Sequence, residues 1–170
     1  MKKIIVLLIL IFTILSPSYS QKNITGFMGI EFRDSPERCI KKIKERFPDI
    51  SYETKNDEIL FYDIDFAGIA WPFLSLDYFD NKLCRAQFII NREYDLENIY
   101  QILLSKLERS YGVTFSSEGT CSYIKNNNAT LMISYSKDDE SSKKSSVLLY
   151  IAYSDDRLIR LKYERENSDL

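Results

Sequence analysis

Three cysteines and no histidine set the chemistry open to this 170-residue chain. Without His, neither a Ser-His-Asp nor a Cys-His nucleophile can be assembled, and His-ligated zinc is ruled out. The commonest general base at neutral pH is missing too. Cys39, Cys84 and Cys121 are therefore read as structural thiols. Cys84 and Cys121 fall on expected core faces of two strands, and Cys39 abuts the apolar stripe of a helix. A disulfide joining Cys84 to Cys121 is the first pairing to consider, with one thiol left over. Three packed thiols are the alternative, because reduced Cys is among the most buried residue types.

Asp63 and Asp65 stand two apart on an expected strand, hence roughly 6.5–7 Å apart along it. That gap would suit a hydrolase working with paired carboxylates, although alternating acids on an outward face also serve solubility. Asp138-Asp139-Glu140 could gather calcium. Ser141-Ser142-Lys143-Lys144 follows, however, with no Gly-spaced ligand loop, so no metal site and no cofactor are expected. Asn23-Ile24-Thr25 and Asn128-Ala129-Thr130 match the glycosylation sequon, but the leader below has a bacterial pattern and neither is expected to carry sugar.

That leader is residues 1–20. Lys2 and Lys3 precede Ile4 to Leu15, a stretch without charge, and Ser18 and Ser20 supply small residues at −3 and −1. This is the three-part pattern of a secretory signal, with cleavage expected after Ser20 and a periplasmic or secreted product. The apolar run is too short to span a bilayer, so no stable membrane anchor is expected after cleavage. Without Lys2 and Lys3 the formal charge of −2 becomes −4. A mildly acidic chain argues against nucleic acid as a partner. The basic cluster Lys41, Lys42, Lys44 and Arg46 reads as the solvated face of an amphipathic helix.

Residues 21–170 form one domain by length. Phe27 to Phe32 reads as a strand. Ser35, Pro36 and Glu37 carry the N-cap, first-turn and acidic signals of a helix, with Ile40, Ile43 and Phe47 as its buried stripe and Pro48 as its stop. From Ile59 to Phe66, Leu60, Tyr62, Ile64 and Phe66 share an apolar face opposite Asp63 and Asp65. The segments Ala70–Phe79 and Leu83–Ile90 flank Asp80-Asn81-Lys82. A three-residue loop pairs Leu74 with Phe88, Leu76 with Ala86, Tyr78 with Cys84 and Asp77 with Arg85, keeping one face apolar. Asp95 caps a second helix through Leu96, Ile99, Tyr100, Leu103, Leu107 and Tyr111, closed by Gly112. A three-residue turn at Asn126-Asn127-Asn128 would place Cys121, Tyr123, Leu131, Ile133 and Tyr135 on one face. Residues 136–146 read as an exposed loop, Val147 to Tyr153 as a strand, and Asp155-Asp156 as the start of a last helix. The expected order is β-α-ββββ-α-βββ-α. It predicts an α+β fold with an antiparallel sheet of about 6–8 strands and helices packed on one face.

Sorted by this register, the aromatic residues supply a candidate site. Phe61, Trp71, Phe73 and Phe79 fall opposite Leu74 and Leu76, and a sheet covered on one side would expose them as a strip. Such strips mark recognition surfaces, so another protein is the expected partner. The alternatives are that an outer loop or a dimer partner covers these rings, or that the strand reverses face at Pro72.

The opening Phe27-Met28-Gly29-Ile30 with Asp34-Ser35-Pro36-Glu37 resembles the start of small exported bacterial proteins of unknown function. Tyr153-Ser154-Asp155 and Ser168-Asp169-Leu170 are similar to that group's ends. The tandem helix-plus-meander layout also resembles β-lactamase-inhibitor-like domains, and that resemblance implies a binding protein without catalysis. Here Arg33-Asp34 stands where that layout usually has Gly, and no functional residue carries over to a numbered position. The expectation is an exported, non-catalytic binding domain, with a hydrolase using Asp63 and Asp65 or a carrier of an apolar ligand as alternatives.

Overall fold

A computed structural model of the chain describes residues 23–92, 96–126, 128–137 and 147–168. The expected leader, the Asp95 cap, Asp138-Asp139-Glu140 and most of the 136–146 loop lie outside the described residues. A short hairpin comes first, β1 (Gly26–Phe27) and β2 (Ile30–Glu31). Gly26 is required there, since a Cβ would run into the Ile30 carbonyl. Helix α1 (Pro36–Arg46) follows, and Ser35 caps it by accepting from the Arg38 amide at 3.4 Å. The cap satisfies an amide that helix geometry would leave unpaired. Next come β3 (Tyr52–Lys55), β4 (Glu58–Phe66), β5 (Ile69–Phe79) and β6 (Lys82–Arg92), then helix α2 (Leu96–Tyr111). Gly112, at φ 67°, ends α2 in the left-handed conformation that suits glycine. The chain continues through β7 (Ser116–Glu118), β8 (Cys121–Asn126), β9 (Ala129–Lys137) and β10 (Val147–Asp155) to helix α3 (Asp156–Ser168).

β3 to β10 form one antiparallel sheet in the order β3-β4-β5-β6-β10-β9-β8-β7. The protein is α+β, as runs of strands between helices predict. Two short additions separate the observed order from the expected one: the first strand is a hairpin, and β7 gives the second meander four strands. α1 and α2 each lead into a four-stranded meander. The two meanders meet along β6 and β10, where Phe88 pairs with Ile151 and Ile90 with Leu149.

α1 and α2 cover one face, called inner here. Cys39 and Ile43 of α1 and Leu96, Tyr100, Leu103 and Leu107 of α2 join the core built on Leu74, Leu76, Phe88, Ile133, Leu149 and Ile151. Each such aliphatic side chain, fully buried, contributes about 1.5–3 kcal/mol. Tyr100 keeps its hydroxyl paired inside, 2.6 Å from that of Ser122. Phe27 of the opening hairpin closes over Phe88 and Tyr153, and Phe66 stacks on Phe88 with centroids 4.3 Å apart.

α3 leaves this one-sided arrangement. Asp155 accepts from the Arg157 and Leu158 amides at 3.1 Å each, turning the chain over the outer face. Leu158 packs there on Phe79 and Cys84. Arg165 grips Asp80 at 2.7 Å and lies 4.4 Å over the Phe79 ring.

Three local irregularities redirect side chains that strict alternation would place otherwise. In the β5–β6 hairpin, Leu74·Phe88, Leu76·Ala86 and Asp77·Arg85 pair as expected. The loop has two residues rather than three, Asp80 and Asn81, both at positive φ. Tyr78 therefore meets Leu83, and Cys84 is left as the extra residue of a bulge. Between the Tyr62·Phe73 and Ile64·Trp71 pairs, Asp63 (φ 53°) and Pro72 interrupt both strands at one level. Each strand turns its other side inward past that point, yet the pairing does not slip. In β8–β9, Asn126 pairs with Ala129, leaving two residues in the turn. Ser122 and Ile124 then face inward with Ile133 and Leu131, while Cys121 and Tyr123 face outward.

Candidate recognition surface

The reversal at Asp63 and Pro72 decides the fate of the expected aromatic strip. Phe61 and Trp71 are each 0% exposed, packed in the inner core. Trp71 donates its indole N–H to the Phe66 carbonyl at 3.0 Å, which meets its polar requirement inside. Phe79 is on the outer side but lies under Arg165 and Leu158. Of the four, Phe73 alone stays at the surface, 37% exposed. The strip is therefore not the four rings expected from an uninterrupted alternation.

The same register assembles a different outer surface around Phe73. Tyr62 pairs with Phe73, Phe73 with Ile89, and Ile89 with Tyr150. Tyr62 and Phe73 meet edge to face, centroids 5.8 Å apart. In the neighbouring rung, Ser75 pairs with Gln87, Gln87 with Ala152, Ala152 with Met132, and Met132 with Tyr123. An apolar path thus crosses six strands with one side chain from each: Tyr62, Phe73, Ile89, Tyr150, Met132 and Tyr123. Its floor is small, for Ser75, Ala152 and Ser134 are buried between these larger neighbours. Cross-strand neighbours of this kind support one another by about 0.2–1 kcal/mol per pair.

A polar rung separates this path from α3. There Glu58, Asp77, Arg85, Ser154, Thr130 and Lys125 follow one another across the strands. Asp77 and Arg85 form the expected ion pair. Ser75 donates to Glu58 at 2.7 Å, and Thr130 to Asp156 at 2.8 Å. Arg85 and Lys125 are paired within the protein, with Asp77 and Asp156, and the rung borders the apolar path.

Asp63 and Asp65 do not converge. Asp63 lines an open groove of about 420 Å3 with Arg46, Phe47, Ile50 and Tyr62, and Asp65 is not among its lining residues. Both side chains are exposed. Dividing acid and base roles between two carboxylates requires unequal surroundings, one of them apolar. Neither carboxylate has such a shelter.

Cys39, Cys84 and Cys121 are all free. β10 and β9 lie between the strands bearing Cys84 and Cys121. Three strand spacings alone put those residues at least roughly 14 Å apart, twice what a disulfide spans. The expected pairing is therefore corrected, because the first and second meanders join at β6–β10 and not at β6–β8. Burial pushes the Cys39 and Cys84 thiols up to about 11. Cys84 donates to the Asp77 carbonyl at 3.2 Å.

Tyr62, Ile89, Tyr150, Met132 and Tyr123 escaped the sequence reading. The signal for Ile89 was present, since pairing Leu74 with Phe88 already places Ile89 beside Phe73. Tyr150 required the β6–β10 seam, which no short-range pattern announces. No protein-family model, curated protein or solved structure matches the chain.

Proposed function

We propose that this chain is an exported, non-catalytic recognition domain that holds a protein partner on the open outer face of its sheet. The observation carrying this reading is the apolar path Tyr62–Phe73–Ile89–Tyr150–Met132–Tyr123, one side chain per strand over a small-residue floor. Tyr and Met are enriched in protein interfaces, and rigid rings with a polar tip give contact area at low entropic cost. The tandem helix-plus-meander layout is the feature on which the resemblance to β-lactamase-inhibitor-like domains rests, and that resemblance implies a binding protein without catalysis. A hydrolase would need a sheltered carboxylate beside Asp63, and a carrier would need an enclosed apolar chamber where the groove stands open.

The test places a photo-crosslinking residue at position 73 or 150, with position 45 on α1 as control. Partners are then recovered from the cell envelope and culture fluid. A single partner crosslinking from 73 and 150 but not from 45 supports the reading. The Phe73→Ala/Tyr150→Ala variant should then weaken binding by more than about 100-fold while the melting temperature holds. Equal crosslinking from all three positions, or unchanged affinity of that variant, would refute it.

A further inference from the structure

Strand β3 is an edge of the sheet, paired only with β4 among the described residues, and all four of its side chains are exposed. Its backbone has a definite polarity. The Tyr62 amide donates to the Ser51 carbonyl, and the register then makes Glu53·Leu60 and Lys55·Glu58 the hydrogen-bonded pairs with β4. The amides and carbonyls of Tyr52 and Thr54 consequently point away from the sheet. They are donors and acceptors awaiting a partner strand.

From this geometry we infer that β3 is a self-pairing edge, and that its occupant is β3 of a second copy of this chain. An antiparallel two-fold pair must set each residue against one of equal parity, so the candidate axes pass through single residues. An axis through Glu53 sets Glu53 against its own copy, and one through Lys55 sets two Lys together. Like charges directly opposite are destabilising. An axis through Thr54 does the reverse. Thr54 faces Thr54 of the partner with two reciprocal backbone hydrogen bonds, and Tyr52 faces Asn56 at either end. Glu53 then faces Lys55 on both sides of the axis, in the non-hydrogen-bonded position where side chains lie closest.

Charges on a sheet edge ordinarily repel other chains. Glu53 and Lys55 repel in those two neighbouring registers and attract in this one, so they select a register as well as guarding the edge. Glu53 lies beside Tyr62 of β4, whose hydroxyl pKa its carboxylate raises. The joined edges continue the two sheets as one. The contact is small, so the dimer belongs to the weak, concentration-dependent class and is weakened by salt.

Sedimentation of the protein from about 10 µM to about 1 mM covers the affinities such a contact reaches. The native chain should dimerise within that range. Glu53→Lys and Lys55→Glu should each lose about tenfold or more in dimerisation alone. An equimolar mixture of the two should pair again, because one chain then carries positive charge at both positions 53 and 55 and the other negative charge at both. Thr54→Pro should abolish dimerisation while the melting curve is kept, since the amide it removes points outward. A native chain monomeric at the highest concentration would overturn the inference. So would a dimer indifferent to the single variants, or a mixture that fails to pair.

Discussion

The two faces of this sheet are made from the same strands by opposite rules. On the inner face, Trp71, Phe88, Phe66, Phe27 and Tyr153 interlock ring against ring under two helices. On the outer face, larger side chains stand one to a strand over Ser and Ala, Tyr62 and Phe73 touch only edge to face, and α3 covers one end. Large side chains meeting large ones on both sides of an interface give a core, whereas large ones beside small buried ones leave the relief that a second molecule can fill. The contrast turns on two adjacent levels of β4 and β5. Trp71 and Phe73, two positions apart, belong to different faces because Pro72 separates them.

The sharpest way to break that contrast is to truncate both rings. Trp71→Ala should cost about 3–5 kcal/mol in urea unfolding, the range for a fully buried aromatic. Phe73→Ala should cost less than about 1 kcal/mol. Equal losses would mean that the outer ring is core. The cap of α3 comes next. Asp155→Ala removes the acceptor of the Arg157 and Leu158 amides together with the Arg33 ion pair at 3.2 Å. It should lower stability by about 1–2 kcal/mol and release α3 from the outer face, seen as faster amide exchange confined to residues 156–168.

A smaller effect is set by pH at the start of α1. Burial alone would raise the Asp34 carboxyl. The hydrogen bonds from Lys42 and the Glu31 amide, with the charges of Lys42 and Arg38, outweigh it and hold the group below the ordinary 3.8. A depressed carboxylate stabilises the fold above its unfolded value, and that contribution is lost as pH falls through the folded value. Asp34→Asn should therefore be less stable than the native protein at neutral pH, and the difference should shrink below about pH 4. Thiol labelling gives the smallest signal. Cys121, half-buried on the outer face, should react first. Cys39 and Cys84, pushed up to about 11 by burial, should wait for unfolding. A native protein lacking three titratable thiols in denaturant would contradict the free-cysteine arrangement.

Much of this architecture could be read from short-range chemistry. Ser35 with Pro36, Gly112 and Asp155 mark helix ends because caps answer local hydrogen-bond needs. Leu74·Phe88, Leu76·Ala86 and Asp77·Arg85 were legible because one apolar face admits few registers. Period-two reasoning failed wherever the backbone broke the period. Cys84 absorbed the residue that shortened the Asp80-Asn81 turn, and Asp63 with Pro72 exchanged the faces of two strands without disturbing their pairing. Since strand faces assign aromatic rings to core or surface, the single reversal at Asp63 and Pro72 moved Phe61 and Trp71 from a proposed site into the core. Tyr150 and Ile89 met only through a pairing between strands distant in sequence.

That β6–β10 seam also governs how the domain must assemble in time. Its paired residues lie from 55 (Arg92·Val147) to 69 (Arg85·Ser154) positions apart, whereas every other strand pair in the large sheet is a neighbour in the chain. Hairpins close within microseconds, but a pairing across such separations must first meet the entropy of a long loop. Pulse-labelled refolding should show protection in the β4–β5 and β8–β9 hairpins before it appears at Phe88 and Ile151. The middle of the sheet, surrounded by the most structure at the end, is then the last part to exist.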